Sequence, residues 1–167
     1  MVEIRRATVE DAEKILEYCK IIGGESDNLT FGSEGVSFTV EQEQGFLESI
    51  LYSDKQVYLI AVKDGEIVGT GNFAAYGKPR LAHRGEINIS VKKSMWGNHI
   101  GTQLMEKMIQ FAKQTAKVEM ISLEVRSDNE RAIGLYKKFG FETTGTLKGY
   151  MKIDGVYVDC DLMQLWL

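Results

Sequence analysis

The chain has little of what marks specialised classes of protein. Pro79 is its one proline, and no Ser/Gly-rich or low-complexity run interrupts it, so nothing reads as a linker and residues 1–167 are expected to form one domain. His83 and His99 are the only histidines and Cys19 and Cys160 the only cysteines. None of the four stands at metal-ligand spacing, so no metal is expected, and both cysteines lie in apolar-periodic segments that suit buried thiols. No apolar run is long enough to span a bilayer, and the opening "MVEIRRATVEDAE" lacks the apolar centre of a signal peptide. No membrane role is expected, and a cytoplasmic setting is. A net charge of −4 gives nucleic-acid binding no support from the chain as a whole.

What is present is the balance of a folded domain: 44% hydrophobic and 26% charged residues. Apolar periodicity orders the elements. "VEIRRA" reads as a strand. Thr8 with Asp11 resembles a helix start, ahead of Ala12, Ile15, Leu16 and Cys19 on one helical face. Thr39 with Gln42 forms a second capping box before Phe46, Leu47, Ile50 and Leu51. "QVYLIAVKDGEIVGTGNFAAY" reads as two strands joined at Asp64-Gly65, where Gly69 and Gly71 point to a bulge or a close approach. "GEINISV" and "MISLEVR" are further strands, separated by a helix that begins near Ile100. Ser127 with Glu130 reads as a third capping box, and Gly140 ends that helix. The tail reads as two strands turning near Asp154-Gly155. Hairpins and β-helix-β crossovers together argue for an α/β fold with a mixed sheet of about seven strands and helices on both faces.

Two segments carry candidate chemistry. In "ISVKKSMWGNHIGTQLM" a strand runs through a glycine-bearing loop straight into a helix. A helix start exposes unpaired N–H groups and partial positive charge, which suits a phosphate. Glycine at a helix start is also common without any ligand. The loop is neither a Walker A sequence nor a dinucleotide fingerprint. In "LEVRSDNERAIGLYKKFGF", Asn129 and Tyr136 are seven residues apart and share one helical face. They can line a cleft at a strand end, or be a capping Asn and a half-buried core Tyr.

In this order the two segments resemble the GCN5-related N-acetyltransferases, and the resemblance runs over nearly the whole chain. The family loop, Gln/Arg-x-x-Gly-x-Gly/Ala, falls on Trp96, Gly97, Asn98, His99, Ile100 and Gly101, with Trp96 and His99 departing from it. The second family block is matched in full by Asn129, Ala132, Tyr136, Gly140 and Phe141.

The resemblance implies that family's fold, with splayed central strands, and acetyl-CoA as cosubstrate. The pyrophosphate is expected on the backbone of Gly97, Asn98, His99, Ile100, Gly101 and Thr102. The pantetheine arm is expected along Ile89 to Val91, with Asn129 touching it. Tyr136 is expected near the thiol as general acid, and a backbone N–H near Val91 at the thioester oxygen. His99 is tolerable in the loop if its backbone angles are ordinary and its side chain points outward.

The acceptor is expected to be a primary amine of a small molecule or peptide, attacking directly in a ternary complex, since no cysteine stands where a covalent intermediate needs one. Glu86 is the first candidate for general base and Glu124 the second. Glu25, Asp27 and Glu34 in the first interhelical loop are candidates to attract a cationic amine, with Phe31 covering its apolar part. Asn88 shares a face with Glu86, and Tyr150, Tyr157, Asp159 and Asp161 are candidates for the opposite wall. Dimers are frequent in the family, so a homodimer is an open expectation. A catalytically silent acyl-CoA sensor and a transferase for longer acyl-CoA are the alternatives.

Overall fold

The computed structural model describes residues 1–167. Its elements follow the expected order: β1 (Glu3–Arg6), α1 (Ala12–Glu25), α2 (Val40–Ile50), β2 (Gln56–Lys63), β3 (Glu66–Ala75), β4 (Arg84–Val91), α3 (Ile100–Phe111), β5 (Met120–Arg126), α4 (Glu130–Lys138), β6 (Glu142–Ile153) and β7 (Val156–Trp166). The strands form one mixed sheet in the order β1-β2-β3-β4-β5-β7-β6, in which β4–β5 is the parallel pair.

Alternation in β2 shows why both faces need helices. Val57, Leu59 and Ala61 join a core that includes Leu104, Met105 and Met108 of α3. Tyr58, Ile60 and Val62 belong to a second core with Ile15, Cys19 and Ile22 of α1 and Leu47 of α2. A strand buried on both sides reads as a near-continuous apolar run, and β2 does.

Turn and cap chemistry sets several boundaries. Asp64 and Gly65 both have positive φ, 52° and 82°, and so do Asp154 and Gly155, 48° and 83°, as tight two-residue hairpin turns require. Thr39 and Gln42 cap α2 reciprocally, at 2.9 and 3.2 Å. Thr8 and Asp11 pair in the same way, but over a 3-10 turn at Val9–Asp11 that precedes α1. One expected cap is wrong. Ser127 does not cap α4, because its hydroxyl donates to Asp161 at 2.7 Å. Asn129 does so instead, accepting from the Ala132 N–H at 3.2 Å. The expected bulge and backbone approach are at Gly69, where the β2–β3 register shifts and a Cβ would stand 3.2 Å from the Ser90 carbonyl oxygen; at Gly71 a Cβ would instead stand 2.9 Å from the Met108 methyl.

The feature that matters most for function is where the parallel pairing stops. β4 and β5 pair at Arg84–Met120, Gly85–Ile121 and Glu86–Ser122, and no further. Both strands continue, β4 to Val91 and β5 to Arg126, so they splay apart toward their C-terminal ends.

Candidate active site

Backbone direction makes the splayed edge chemically open. The Lys92 N–H donates to the Val68 carbonyl, so even-numbered residues of β4 turn their backbone groups to β3. Ile87, Ile89 and Val91 turn theirs to the β5 side. Pairing ends after Glu86, so the edge is open at Ile89 and at the Val91 N–H to an extended ligand that adds as a strand would, while the Val91 carbonyl is taken by the Trp96 indole.

Beyond β4 the chain makes a short turn at Lys93–Met95 and enters α3. Gly97 has φ +82° and His99 φ +58°. The condition of ordinary backbone angles at His99 is therefore not met. The residue caps α3 in the left-handed region, where glycine is easiest and histidine is among the better-tolerated side chains. Its side chain is exposed, as expected. Gln103 is the first residue of the helix to donate back, to the His99 carbonyl at 3.0 Å, so the N–H groups of Ile100, Gly101 and Thr102 have no helical partner. Gly101 has little room for a side chain: a Cβ would lie 3.2 Å from Leu135 and 3.8 Å from Ile89.

These groups face a cavity of about 510 Å³ whose lining includes Ile89, Val91, Gly97, His99, Ile100, Gly101, Thr102, Asn129 and Tyr136. Asn98 does not line it. Its amide folds back on the Met95 and Trp96 carbonyls at 3.1 and 3.3 Å and braces the loop. Trp96 lines the cavity and is braced too: its indole N–H donates to the Val91 carbonyl at 2.9 Å, and the Arg131 guanidinium lies over its ring at 4.3 Å. Arg131 and Lys138 add positive charge to the lining, against Glu130 as its one acid. An open helix N-terminus, a glycine with little room for a Cβ and two lining cations suit a polyphosphate ester.

A second cavity, of about 460 Å³, lies between α1, α2 and the sheet. Both cavities are lined by Ile89, Ser90 and Tyr136, so they meet at the splay. Tyr136 is buried and its hydroxyl has no protein partner. Burial pushes its pKa up, so it keeps its proton at neutral pH. Ser90 sits in a short hydroxyl chain, 2.9 Å from Tyr18 and 3.0 Å from Thr70.

The structure distributes the other candidates unevenly. Phe31, Asn88, Glu124 and Tyr150 line the second cavity. Asn88 donates to Asn72 at 3.3 Å, and Glu124 accepts from the Tyr150 hydroxyl. Glu86 lies outside the cavity lining and accepts from Tyr76. Glu25 also lies outside: it accepts from the Lys93 N–H at 2.9 Å and ties α1 to the turn after β4. Glu34 accepts from the Gly32 N–H, and the Asp27 carbonyl accepts from Arg126 at 3.2 Å. Asp159 holds Lys148 at 2.7 Å, and Asp161 accepts from Ser127 and Thr146.

One acid escaped the sequence reading. Glu43 on α2 is 4% exposed, lines the second cavity and has no hydrogen-bonding partner in the protein. In "EQEQ" it reads as one charge on a solvated helix start. The available signal was its spacing to Leu47 and Ile50, which puts it on the apolar stripe.

A mixed sheet is opened at its parallel pair, with a phosphate-suited helix N-terminus at the opening and a cavity on either side. The chain belongs to the acetyltransferase (GNAT) family, whose model matches residues 27–141. It is 39% identical over 106 residues to the L-amino acid N-acetyltransferase AaaT of Escherichia coli, a match covering 63% of this chain and 65% of that one. It thus spans just under two thirds of that relative's length. Over its full length it superposes on an acetyltransferase of the GNAT family from Streptococcus pneumoniae, with a TM-score of 0.95, 29% identity and complete coverage of both chains. A Salmonella typhimurium protein solved with its cofactor acetyl-CoA shares the fold, at a TM-score of 0.85 and 19% identity, over all of this chain and 94% of that one.

Proposed function

We propose that this chain transfers the acetyl group of acetyl-CoA to a primary amine of a small molecule, by direct attack in a ternary complex. The observation that carries the reading is the meeting of the two cavities at Ile89, Ser90 and Tyr136, which gives cosubstrate and acceptor separate entries to one point. Family membership and a related fold solved with acetyl-CoA support the choice of cosubstrate. The partly enclosed, aromatic-lined second cavity supports a small acceptor, as does the relative that acts on amino acids.

Acetyl-CoA supplies a thioester whose carbonyl carbon accepts the amine. The free N–H groups of Ile100, Gly101 and Thr102 hold the pyrophosphate, with Arg131 and Lys138 adding attraction. The open backbone edge at Ile89 and Val91 orients the pantetheine arm, and the Val91 N–H stabilises charge developing on the carbonyl oxygen. Glu124 takes a proton from the incoming ammonium, directly or through water, because an ammonium has no lone pair to attack with. The carbon–nitrogen bond forms, the carbon–sulfur bond breaks, Tyr136 gives its proton to the departing sulfur, and the second proton lost by the new amide nitrogen passes through water to restore Tyr136.

Asn129 spends its carboxamide oxygen on the α4 cap, and its NH₂ is the group left for the cofactor arm. Glu86, held by Tyr76 outside the cavity, is the weaker candidate for the base. No helix is long and apolar enough to cross a membrane, and free Cys19 and Cys160 fit a cytoplasmic setting. A homodimer, as the family resemblance implies, is checked by light scattering.

The deciding experiment is amine-dependent release of free thiol from acetyl-CoA over a panel of small amines and peptides, with cosubstrate binding followed by calorimetry. Binding with turnover on at least one amine is expected. No acetyl-CoA binding removes the reading, and binding with no turnover on any amine leaves an acyl-CoA sensor.

A further inference from the structure

Glu43 is the feature of the acceptor cavity that the transfer step does not use. It sits in the first turn of α2, four residues past the Thr39 cap, and its carboxylate is turned inward among aromatic walls. A buried ionised carboxylate without a partner costs several kcal/mol, and buried charges are normally paired. The helix start offsets part of this through its partial positive charge. Burial raises the Glu43 pKa, as expected of a carboxylate with nothing to pair with.

Its surroundings order the cavity from one end to the other. Ser90, Thr70 and Tyr18 form the hydroxyl chain at the splay. Tyr58 follows on β2, edge-on to Phe46 at 6.5 Å, and Glu43 lies on the same helix as Phe46. The Glu43 charge acts on both Cys19 and Tyr58 but not on Tyr136, whose pKa is raised by burial alone, so it stands nearer the first two. The cavity offers no comparable site for an anion. Its one cationic lining residue, Arg126, is held by Asp128 at 2.7 and 2.8 Å.

We propose that Glu43 docks a second cationic nitrogen on the acceptor, so that this enzyme prefers diamines, or amines with a distal ammonium or amidine group, over simple monoamines and over amines with a distal carboxylate. The proposal rests on the acetyltransferase reading. One nitrogen stands at the splay to be acetylated, and the other ion-pairs with Glu43 in a pocket lined by the aromatic rings of Phe31, Phe38, Phe46 and Tyr58.

The test is titration calorimetry on the full chain with CoA present, using α,ω-diamines from propane diamine to octane diamine, the matching alkylamines and the matching ω-amino acids. At least one diamine is expected to bind about tenfold or more tightly than its alkylamine, with the ω-amino acid weakest. Glu43→Gln is expected to abolish that ratio while leaving alkylamine and CoA binding unchanged, and Glu43→Asp to restore part of it. Without amine, E43Q is expected to melt at or above the wild-type temperature, since it removes an unpaired buried charge.

A wild type that binds diamine and alkylamine equally, or binds neither, overturns the proposal. So does a ratio that survives in E43Q, or a melting temperature that falls in E43Q with the ratio intact. The CoA titration in the same series reads the acetyltransferase proposal separately: diamine selectivity without CoA binding refutes that proposal and not the role of Glu43.

Discussion

The two cavities that meet at Tyr136 are built in different ways. The larger is made mostly of backbone: a strand edge with unpaired groups, a left-handed turn at Gly97 and His99, and the free N–H groups of α3. Most of its parts lie within Ile89 to Thr102 and Asn129 to Lys138, with Ile22, Ser26, Asn28 and Leu29 added from α1 and the loop after it. The smaller is made of side chains from α1, α2, the loop between them, α4 and all strands from β2 to β7, brought together from across the chain. A backbone site suits a group common to many enzymes, because backbone geometry does not depend on side-chain identity. A side-chain site suits the part of the reaction that differs between relatives, because each lining residue can change while the fold stays.

The sharpest way to break this comparison is at the shared point. Tyr136→Phe is expected to lower kcat by about a hundredfold or more, with acetyl-CoA affinity within about twofold of wild type. Steady-state kinetics and calorimetry check it, and unchanged kcat refutes the general-acid role. Because burial holds the Tyr136 pKa above its ordinary value, wild-type activity should show no loss from its ionisation up to about pH 10.

The next two test each cavity alone. Glu124→Gln is expected to lower kcat about tenfold or more, and Glu86→Gln by much less; a reversed order moves the base to the strand head. Gly101→Val is expected to raise the KM for acetyl-CoA about tenfold and leave kcat nearly intact, because a Cβ there already crowds Leu135 and the two added methyls extend past it. An effect on the KM for amine instead would mean that the cavities are not separable.

The smallest effects lie in the frame. Asp11 accepts from Arg5 at 2.7 and 2.8 Å and from the Thr8 N–H, and these contacts, with the Arg5 hydrogen bond largest, lower its pKa to about 2. A lowered carboxyl stabilises the fold above its unfolded pKa and stops doing so as pH falls through the folded one. Asp11→Asn is therefore expected to cost about 1 kcal/mol in urea melts at neutral pH, a difference that closes between about pH 4 and 2. His99→Gly relieves the left-handed strain but loosens the unfolded chain, so the net change is expected to be stabilising by less than about 1 kcal/mol. A large loss there would mean that the imidazole is part of the site.

Much of the larger cavity could be read from residues alone, since its signals are local. A strand, a loop with Gly97, a helix start and a second helix with Asn129 and Tyr136 lie within about fifty residues. Ser127 was mistaken for the cap because Asp161, the partner that claims its hydroxyl, comes from a strand far along the chain. The smaller cavity was legible only in part. Phe31, Asn88 and Glu124 line it, but nothing local separates them from Glu25 or Glu86, which the fold turns elsewhere. Glu43 was hidden because a carboxylate in a first turn reads as a helix-dipole partner in water, and only packing against Tyr58 and Cys19 removes the water.

The sequence by itself determined the order of elements, the two tight turns and the α2 cap, because hydrophobic period, positive-φ turn residues and capping act over a few residues. Tertiary structure alone decided where β4 and β5 part, which acid lines the acceptor cavity and which is bound outside it. Those outcomes depend on how distant strands and helices share one sheet, and burial and desolvation are properties of the assembled sheet rather than of any segment.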